Sequence, residues 1–491
     1  MSTPVNSRTA PAAQHKNTSA LDRYFRISER GSTIGTEIRS GIVTFFAMAY
    51  IIILNPLILG TSADINGKTL GVPQVAVATA LAAGIMTIAF GLIARYPFGI
   101  AAGLGINTLV AVTMVSTEGL TWQEAMGLVV LDGIVIVIMA ASGFRTAVFR
   151  AIPQPMIAAM SVGIGLFIAF IGLVDSGFVR RVPDAAHTTV PVGLGVNGSI
   201  ASVPTLVFVI GLLLCGIMVV RKVRGGLFIG IVATTVIAMI LEALTGVGSS
   251  ADNPTGGWNL AVPKIPESLG SLPDLSIVGD VSLFGSFARI GALSATLLLF
   301  TLVLANFFDA MGTMTALGKQ AQLTTDDGTL PDLKKALIVE GCGAIVGGSA
   351  SASSNTVFVD SSAGIADGAR TGLANVVTGI LFLLAMFLTP LYQVVPIEAA
   401  APVLVIVGAL MISQVREIDF TQFHIALPAF LTIVVMPFTY SIANGVGVGF
   451  ITFSIMAVAA GKAKEVHWIM WLISALFVVF FAVDPIMNLV N

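Results

Sequence analysis

Apolar runs of helix-spanning length follow one another from residue 38 to near the end of the chain. A chain built this way has to satisfy its own backbone polar groups inside hydrocarbon, which leaves helices or closed barrels as solutions. The runs lie near 38–59, 74–94, 98–116, 124–143, 153–174, 200–220 and 225–245. A polar, Pro/Gly-rich stretch at 246–288 follows, and a second group lies near 290–317, 334–350, 356–370, 371–391, 396–414, 424–442 and 444–461. A further apolar segment covers 466–488. Their length predicts an all-α polytopic membrane protein with 14 transmembrane segments plus an extra C-terminal one.

Composition narrows the classes further. Charged residues make up only 10% of the 491, against about 25% in soluble domains, too few to cover a water-facing surface. A formal net charge of −2 carries no polyanion-binding signature. The two cysteines, Cys215 and Cys342, both sit in apolar runs, so neither a disulfide framework nor a cysteine metal site is expected. The four histidines give no metal-ligand spacing, and no cofactor is expected. Nucleic-acid binding, secretion and a soluble Rossmann-type enzyme are excluded. The first 37 residues are polar and lack an h-region with a cleavage site, so a signal peptide is not expected. Within this tail, 21–29 interleaves Leu21, Phe25 and Ile27 with charge and reads as a short surface helix or as solvated chain.

Loop charge sets the expected orientation. If the N-terminus is cytoplasmic, the inward loops hold Arg95, Arg145, Arg150, Arg221, Lys222, Arg224, Lys319, Lys334, Lys335, Arg370, Arg416, Lys462 and Lys464. The outward loops hold only Lys68, Arg180, Arg181 and Lys264. This positive-inside bias predicts a cell-membrane protein with a cytoplasmic N-terminus.

Seven spans precede the long loop and seven follow it. Asn107-Thr108 lines up with Asn355-Thr356 at an offset of 248, and Ile152-Pro153 lines up with Val395-Pro396. Because seven is odd, the second copy enters the membrane from the opposite side, the inverted-repeat plan of secondary transporters. Runs of small residues at 99–105 and 347–354 suggest that spans 3 and 10 are extended for part of their length. Irregular backbone at that depth has to be buried in protein or line a cavity, which points to a binding site near the midplane. The competing reading is that small residues merely let helices approach closely. Packing alone leaves the matched asparagines unexplained.

Ionisable groups deep in spans are costly and therefore informative. They are Asp132, Glu242, Asp309, Glu340, Asp360 and Asp367, with Arg370 at a span end. Asp309 lies midway along span 8, and Asp360-Ser361-Ser362 follows the extended part of span 10. An N-cap for Asp360 and a structural hydrogen bond for Asp309 are the rival readings. Glu340, between glycines in span 9, is a candidate for a proton route. Asp132 and Glu242 read as structural, and Asp367 with Arg370 as a local ion pair. Phe307 and Phe308 offer a stacking face, or serve only as core or lipid-facing aromatics.

Several motifs carry a resemblance. Residues 21–60, Gly103-Leu104-Gly105-Ile106-Asn107, the stretches 163–173 and 306–312, Asp360-Ser361-Ser362-Ala363-Gly364-Ile365-Ala366-Asp367-Gly368-Ala369-Arg370-Thr371-Gly372 and Met436-Pro437-Phe438-Thr439-Tyr440-Ser441-Ile442-Ala443 resemble the AzgA-like purine permeases of the nucleobase–cation symporter group. The resemblance runs over nearly the whole chain. It implies a uracil-permease-like fold of two inverted halves, with a core domain of spans 1–4 (38–143) and 8–11 (289–391). The gate domain it implies comprises spans 5–7 (153–245) and 12–14 (396–461), flanked by the tail 1–37, the extracytoplasmic loop 246–288 and the extra segment 466–488. Binding carboxylates fall on Asp309 and Asp360 and the span-3 asparagine on Asn107. With Asn355, Phe308 and Ser361 these form the expected substrate set, and Asp309, Asp360 and Glu340 the expected proton-coupling set. Members usually carry Glu where this chain has Asp360, and Pro where it has Ala102. A carboxylate one methylene shorter draws the base deeper or admits a bridging water.

The resemblance implies import of adenine, guanine or hypoxanthine by proton symport through elevator-like alternating access, with lipid, protons and the purine base as partners. Dimerisation through the gate spans is a further family expectation. Three alternatives compete. An anion transporter of the related sulfate/bicarbonate fold would place helix N-termini against unneutralised aspartates without a basic residue. An intramembrane enzyme would need a clustered catalytic motif, and a channel a carbonyl filter or charged ring, and neither is evident.

Overall fold

The structure is a computed structural model describing residues 19–490 apart from 145–150, 182–191, 197, 224, 254, 260, 267, 325–329, 393 and 440. The side chains at 308, 311, 312, 315, 316, 319, 392, 443 and 483–490 are outside the described residues. Helices occupy the expected apolar runs. Span 1 is Ile34–Leu59, span 2 Val72–Ile93, span 4 Trp122–Ser142, span 5 Gln154–Asp175, span 6 Val203–Val220, span 7 Gly226–Thr245, span 11 Gly372–Leu391 and span 12 Ile397–Glu417, each apolar and long enough to cross a membrane. Span 8 is Ala292–Gln320, span 9 Leu333–Ser349, span 13 Phe423–Thr439 and span 14 Ile442–Ala459. Helix starts follow the local sequence. Thr121 and Glu124 close a capping box on span 4, Ser202 caps span 6, and Pro occupies the first turn of spans 2, 5 and 6.

Spans 3 and 10 are built differently. Span 3 opens as a strand, β1 (Ile100–Ala102), and continues as helix from Leu104 to Thr117. A hairpin, β2 (Val179–Arg181) with β3 (Val192–Leu194), follows span 5. Span 10 opens as β4 (Asn355–Val357) and continues through Val359–Ser361 into the short helix Ser362–Asp367. β1 and β4 pair antiparallel, Ile100 opposite Val357 and Ala102 opposite Asn355. The two breaks therefore meet.

These strands correct the repeat drawn from sequence. Matching the first residue of β1 to the first of β4 makes Ile100, not Asn107, the counterpart of Asn355. Asn107 sits inside the helix after β1, whereas Asn355 begins β4. The run 347–354 is the end of span 9 and a turn with Ser351 and Ser353 at positive φ, not an extended segment. Span 1 begins at Ile34 rather than 38, and it breaks between Met48 and Ile51. The surface helix expected over 21–29 is Ala20–Phe25, ended by Arg26 in the left-handed region.

Helix pairings display the inverted repeat. Span 11 packs on spans 1 and 2, and span 4 on spans 8 and 9; span 5 packs on span 13, and span 12 on span 6. Adding seven to the member from the first half and subtracting seven from the member of the second converts each pairing into its counterpart. Glycines allow these approaches: a Cβ on Gly372 would strike the Gly91 carbonyl, and one on Gly133 would lie 2.6 Å from the Ile345 nitrogen. The C-terminal helix, Trp468–Val490, lies against spans 14 and 8. Its Phe477 ring is 5.6 Å from that of Phe300, and Ser474 is 2.8 Å from Ser454.

Candidate functional site

Broken backbone at this depth needs partners for every peptide group it exposes. Neighbouring spans supply them. Thr87 of span 2 accepts from the Ile100 N–H at 3.0 Å and donates to the Ile100 carbonyl at 2.9 Å. Asn375 of span 11 donates to the Phe98 carbonyl at 2.6 Å, and Ser361 Oγ accepts the Gly99 N–H at 2.9 Å. Phe358 N–H reaches the Gly99 carbonyl and Gly103 N–H the Ser354 carbonyl, both at 2.9 Å, extending the strand pair at each end. Asn306 donates to Asp132 at 3.0 Å and to Ser354 Oγ at 2.8 Å; Asn55 donates to Thr79 at 2.7 Å and to the Ala352 carbonyl at 3.1 Å. Asp132 thus helps fix the turn before β4, in keeping with a structural part.

A cavity of about 90 Å³ opens where the helical parts of spans 3 and 10 leave this crossing. One side of it is Tyr50, 103–106, Ala305, Asp309, Thr313 and 357–360; the other is Ile157, Met160, Ser161, Ile164 and Ile168 of span 5 with Val407, Met411 and Gln414 of span 12, and Ile442. Tyr50, at the break in span 1, donates its hydroxyl to Asp360 Oδ2 at 2.8 Å. Its ring centroid is 6.1 Å from that of Phe358. Glu340 is fully buried in span 9.

The structure brings Asp309 and Asp360 to one cavity. Ser361 lies directly behind, spent on the Gly99 N–H. Asn107 and Asn355 are fully buried and do not line the cavity, and a Cβ on Gly347 would lie 3.1 Å from Asn355 Oδ1, which places that amide against span 9. Phe307 is buried in the core and is not part of the lining, while the Phe308 side chain lies outside the described residues. Sequence reasoning misses Tyr50, Phe358, Ser161 and Gln414. Only Tyr50 and Phe358 leave a trace there, as a tyrosine in an otherwise apolar run and an aromatic two residues before the carboxylate.

Other ionisable groups hold the scaffold. Glu242 accepts the N–H groups of Val247 and Gly248, both at 3.1 Å, and the Trp258 indole at 2.7 Å. Asp367 takes Arg39 as its ion partner at 2.7 Å and the Ser40 hydroxyl at 3.0 Å, while Arg370 donates to the Ile365 and Ala369 carbonyls. Glu398, which does not stand out in the sequence, is fully buried and accepts the Asn259 N–H at 3.0 Å.

Known proteins resemble the chain in both sequence and fold. The profile of the xanthine/uracil permeases, described as "Permease family", matches residues 35–448. The chain is 38% identical over 468 residues to the guanine/hypoxanthine permease PbuG of Bacillus subtilis, covering 94% of this chain and 99% of that one. It is 32% identical to the adenine permease AdeQ of Escherichia coli, covering 93% and 95%. Among solved structures, the transmembrane domain of the cyanobacterial bicarbonate transporter BicA superposes with a TM-score of 0.55 at 14% identity, covering 87% of this chain and 97% of that chain. At that identity the likeness speaks to fold alone.

Proposed function

The chain belongs to the xanthine/uracil permease family, a multi-pass membrane permease rather than an enzyme, and from that premise we propose that it imports purine nucleobases by proton symport. The observation that carries this reading is the pairing of Asp309 and Asp360 on one small cavity at the crossing of two half-helices. A purine edge presents N–H donors to a carboxylate, and a charge-assisted contact of that kind is strong where water is excluded. Phe358 supplies the stacking face and Tyr50 orients Asp360. Adenine, guanine and hypoxanthine all fit this description, and relatives bear permease names for each.

Asp309 and Asp360 both line the cavity, and either carboxylate can take up a proton. That proton is the coupling ion in this reading, with Glu340 on its route. Spans 1–4 and 8–11 act as the moving core and spans 5–7 and 12–14 as the gate, with the N-terminus cytoplasmic and the gate spans pairing two copies. No Lys, Arg or His is among the cavity's described lining residues, which argues against an anion as cargo. The test is uptake of labelled purines into proteoliposomes under an imposed pH gradient. Accumulation should vanish when the gradient is collapsed; purine-independent bicarbonate or sulfate flux would overturn the reading.

A further inference from the structure

A second cavity, of about 260 Å³, shares no lining residue with the carboxylate site and plays no part in the transport scheme. It is lined by Ala151, Pro153 and Pro155 before and in span 5, by His424 and Ile425 of span 13, by Phe453 and Ala457 of span 14, and by Lys462, Glu465, Val466 and His467 of the linker to the C-terminal helix. Its polar groups are mostly donors. Lys462 Nζ is 3.2 Å from His424 Nε2. An ammonium has no lone pair, so the imidazole nitrogen accepts, and two ammonium protons remain for a ligand. His467 Nδ1 accepts the Ile469 N–H at 3.3 Å, which leaves its neutral ring with the proton on Nε2, again a donor.

Two carboxylates stand near this positive charge: Glu465 in the lining, and Asp419, which accepts from Thr421 and Gln422 and lies near His424. The last turn of span 14 caps itself: the Met456, Val458 and Ala457 carbonyls take the N–H groups of Ala460, Gly461 and Lys462. Among the described residues no carboxylate forms an ion pair with Lys462; Glu465 is solvent-exposed, so its opposing charge is screened. Spans 5 and 13 and the C-terminal helix all begin at this cavity, so three positive dipole ends add to Lys462. Phe423 and Trp468, which start two of these helices, are 70% and 63% exposed, as expected of side chains at a lipid interface.

We propose that this cavity binds the phosphate of a membrane phospholipid headgroup, held by Lys462, His424 and His467, with the acyl chains lying along Phe423 and Trp468. A phosphate offers acceptor oxygens to the ammonium and to the imidazole N–H groups together. Such a lipid ties span 5, span 13, span 14 and the C-terminal helix at one end. The segment beyond span 14 thereby acquires a role, since its linker completes the site.

The experiment uses the purified full chain in detergent, titrated with phosphatidylglycerol, with a glucosyl diacylglycerol of the same tails, or with inorganic phosphate, and reads retained lipid by native mass spectrometry alongside the melting temperature. Phosphatidylglycerol should be retained and protect, and the phosphate-free glycolipid should do neither. Lys462→Gln and His424→Gln should each weaken retention roughly tenfold, the order of one charge-assisted contact. Lys462→Arg should restore it, and Lys464→Gln, two residues on and outside the cavity, should leave it unchanged. If Lys462→Gln fails to fold, His424→Gln and Lys462→Arg decide. Protection by inorganic phosphate equal to that by the lipid, lost in the same variants, would assign the site to a soluble anion and overturn the lipid. Equal retention of the glycolipid, or undiminished retention in the Lys462→Gln and His424→Gln variants, would overturn the site itself.

Discussion

The two walls of the central cavity differ in chemistry. One wall presents Tyr50, Asp309, Thr313 and Asp360 around the ends of β1 and β4, with Tyr50 already bonded to Asp360. The opposite wall presents Ile157, Met160, Ile164, Ile168, Val407 and Met411, with Ser161 and Gln414 as its polar groups. Polar groups fixed by hydrogen bonds hold a ligand in one orientation, because an unpaired buried donor or acceptor costs about 1–3 kcal/mol. Aliphatic and thioether side chains hold by contact alone, which is non-directional and survives sliding. The contrast teaches how the proposed transport would divide its work: the first wall would select the ligand and the second would let it pass.

The strongest way to break this comparison is to remove the carboxylates. Asp360→Ala should weaken purine binding by about 2–5 kcal/mol if its charge-assisted contact is buried, read by calorimetry on the purified protein. Asp309→Asn should abolish proton-driven accumulation yet still permit binding or exchange, since the amide keeps an acceptor. Undiminished affinity in the first variant, or accumulation by the second that survives collapse of the gradient, would show that the polar wall does not do the selecting.

A link between the walls comes next. A Cβ on Gly105, at the start of span 3's helix, would lie 3.2 Å from Ile442 Cδ1 and 3.6 Å from Ile164 Cγ2. With Cys215 and Cys342 replaced, Gly105→Cys and Ile442→Cys joined by a short bifunctional thiol reagent should stop uptake. The singly substituted proteins treated the same way should transport. Transport by the joined protein would mean that the walls do not move past each other.

How much of this is legible in the sequence follows from cost. A carboxylate in an apolar run is expensive enough to demand a reason, so Asp309 and Asp360 stand out in the sequence itself. Tyr50 does not: a tyrosine buries cheaply, and the chain separates it from its partner Asp360 by 310 positions. Small residues mislead because they do two jobs. Gly343 and Gly347 let span 9 close on Asn355, where their added Cβ atoms would meet its carbonyl at 2.8 Å and its side-chain oxygen at 3.1 Å. The actual break begins after them. Asn-Thr recurs in both halves at unequal distances from the strands, and only the pairing of Ala102 with Asn355 fixes the register. Glu398 is hidden by its place just after Pro396, where a carboxylate reads as an ordinary helix start.

Tyr50→Phe sharpens the comparison at smaller scale. It removes the 2.8 Å hydroxyl contact to Asp360 and keeps the ring beside Phe358. A hydrogen bond to a charged group is worth roughly 1.5–3 kcal/mol, and a ligand N–H or water can recover part of it. Affinity should fall about tenfold, with the ratio of inside to outside purine at steady state unchanged, because the coupling proton is not held by the tyrosine. A lost gradient with intact affinity would move Tyr50 from orienting the ligand to handling the proton.

The smallest effect is expected on the apolar wall, and it is the one that separates selection from passage. Gln414 lines the cavity from span 12, opposite the carboxylates, and its side chain is partly exposed. Water can take its place at a ligand edge for little free energy, so Gln414→Ala should change affinity by no more than about threefold. Its consequence should appear in rate. Replacing it with Leu makes the wall uniformly apolar, removes a group that can hydrogen-bond a departing base, and should alter turnover without altering which purine is preferred. Competition of labelled guanine uptake by unlabelled adenine and hypoxanthine measures that preference directly. If Gln414→Leu reorders the competitors, selection is shared between the walls, and the division drawn from their chemistry does not hold.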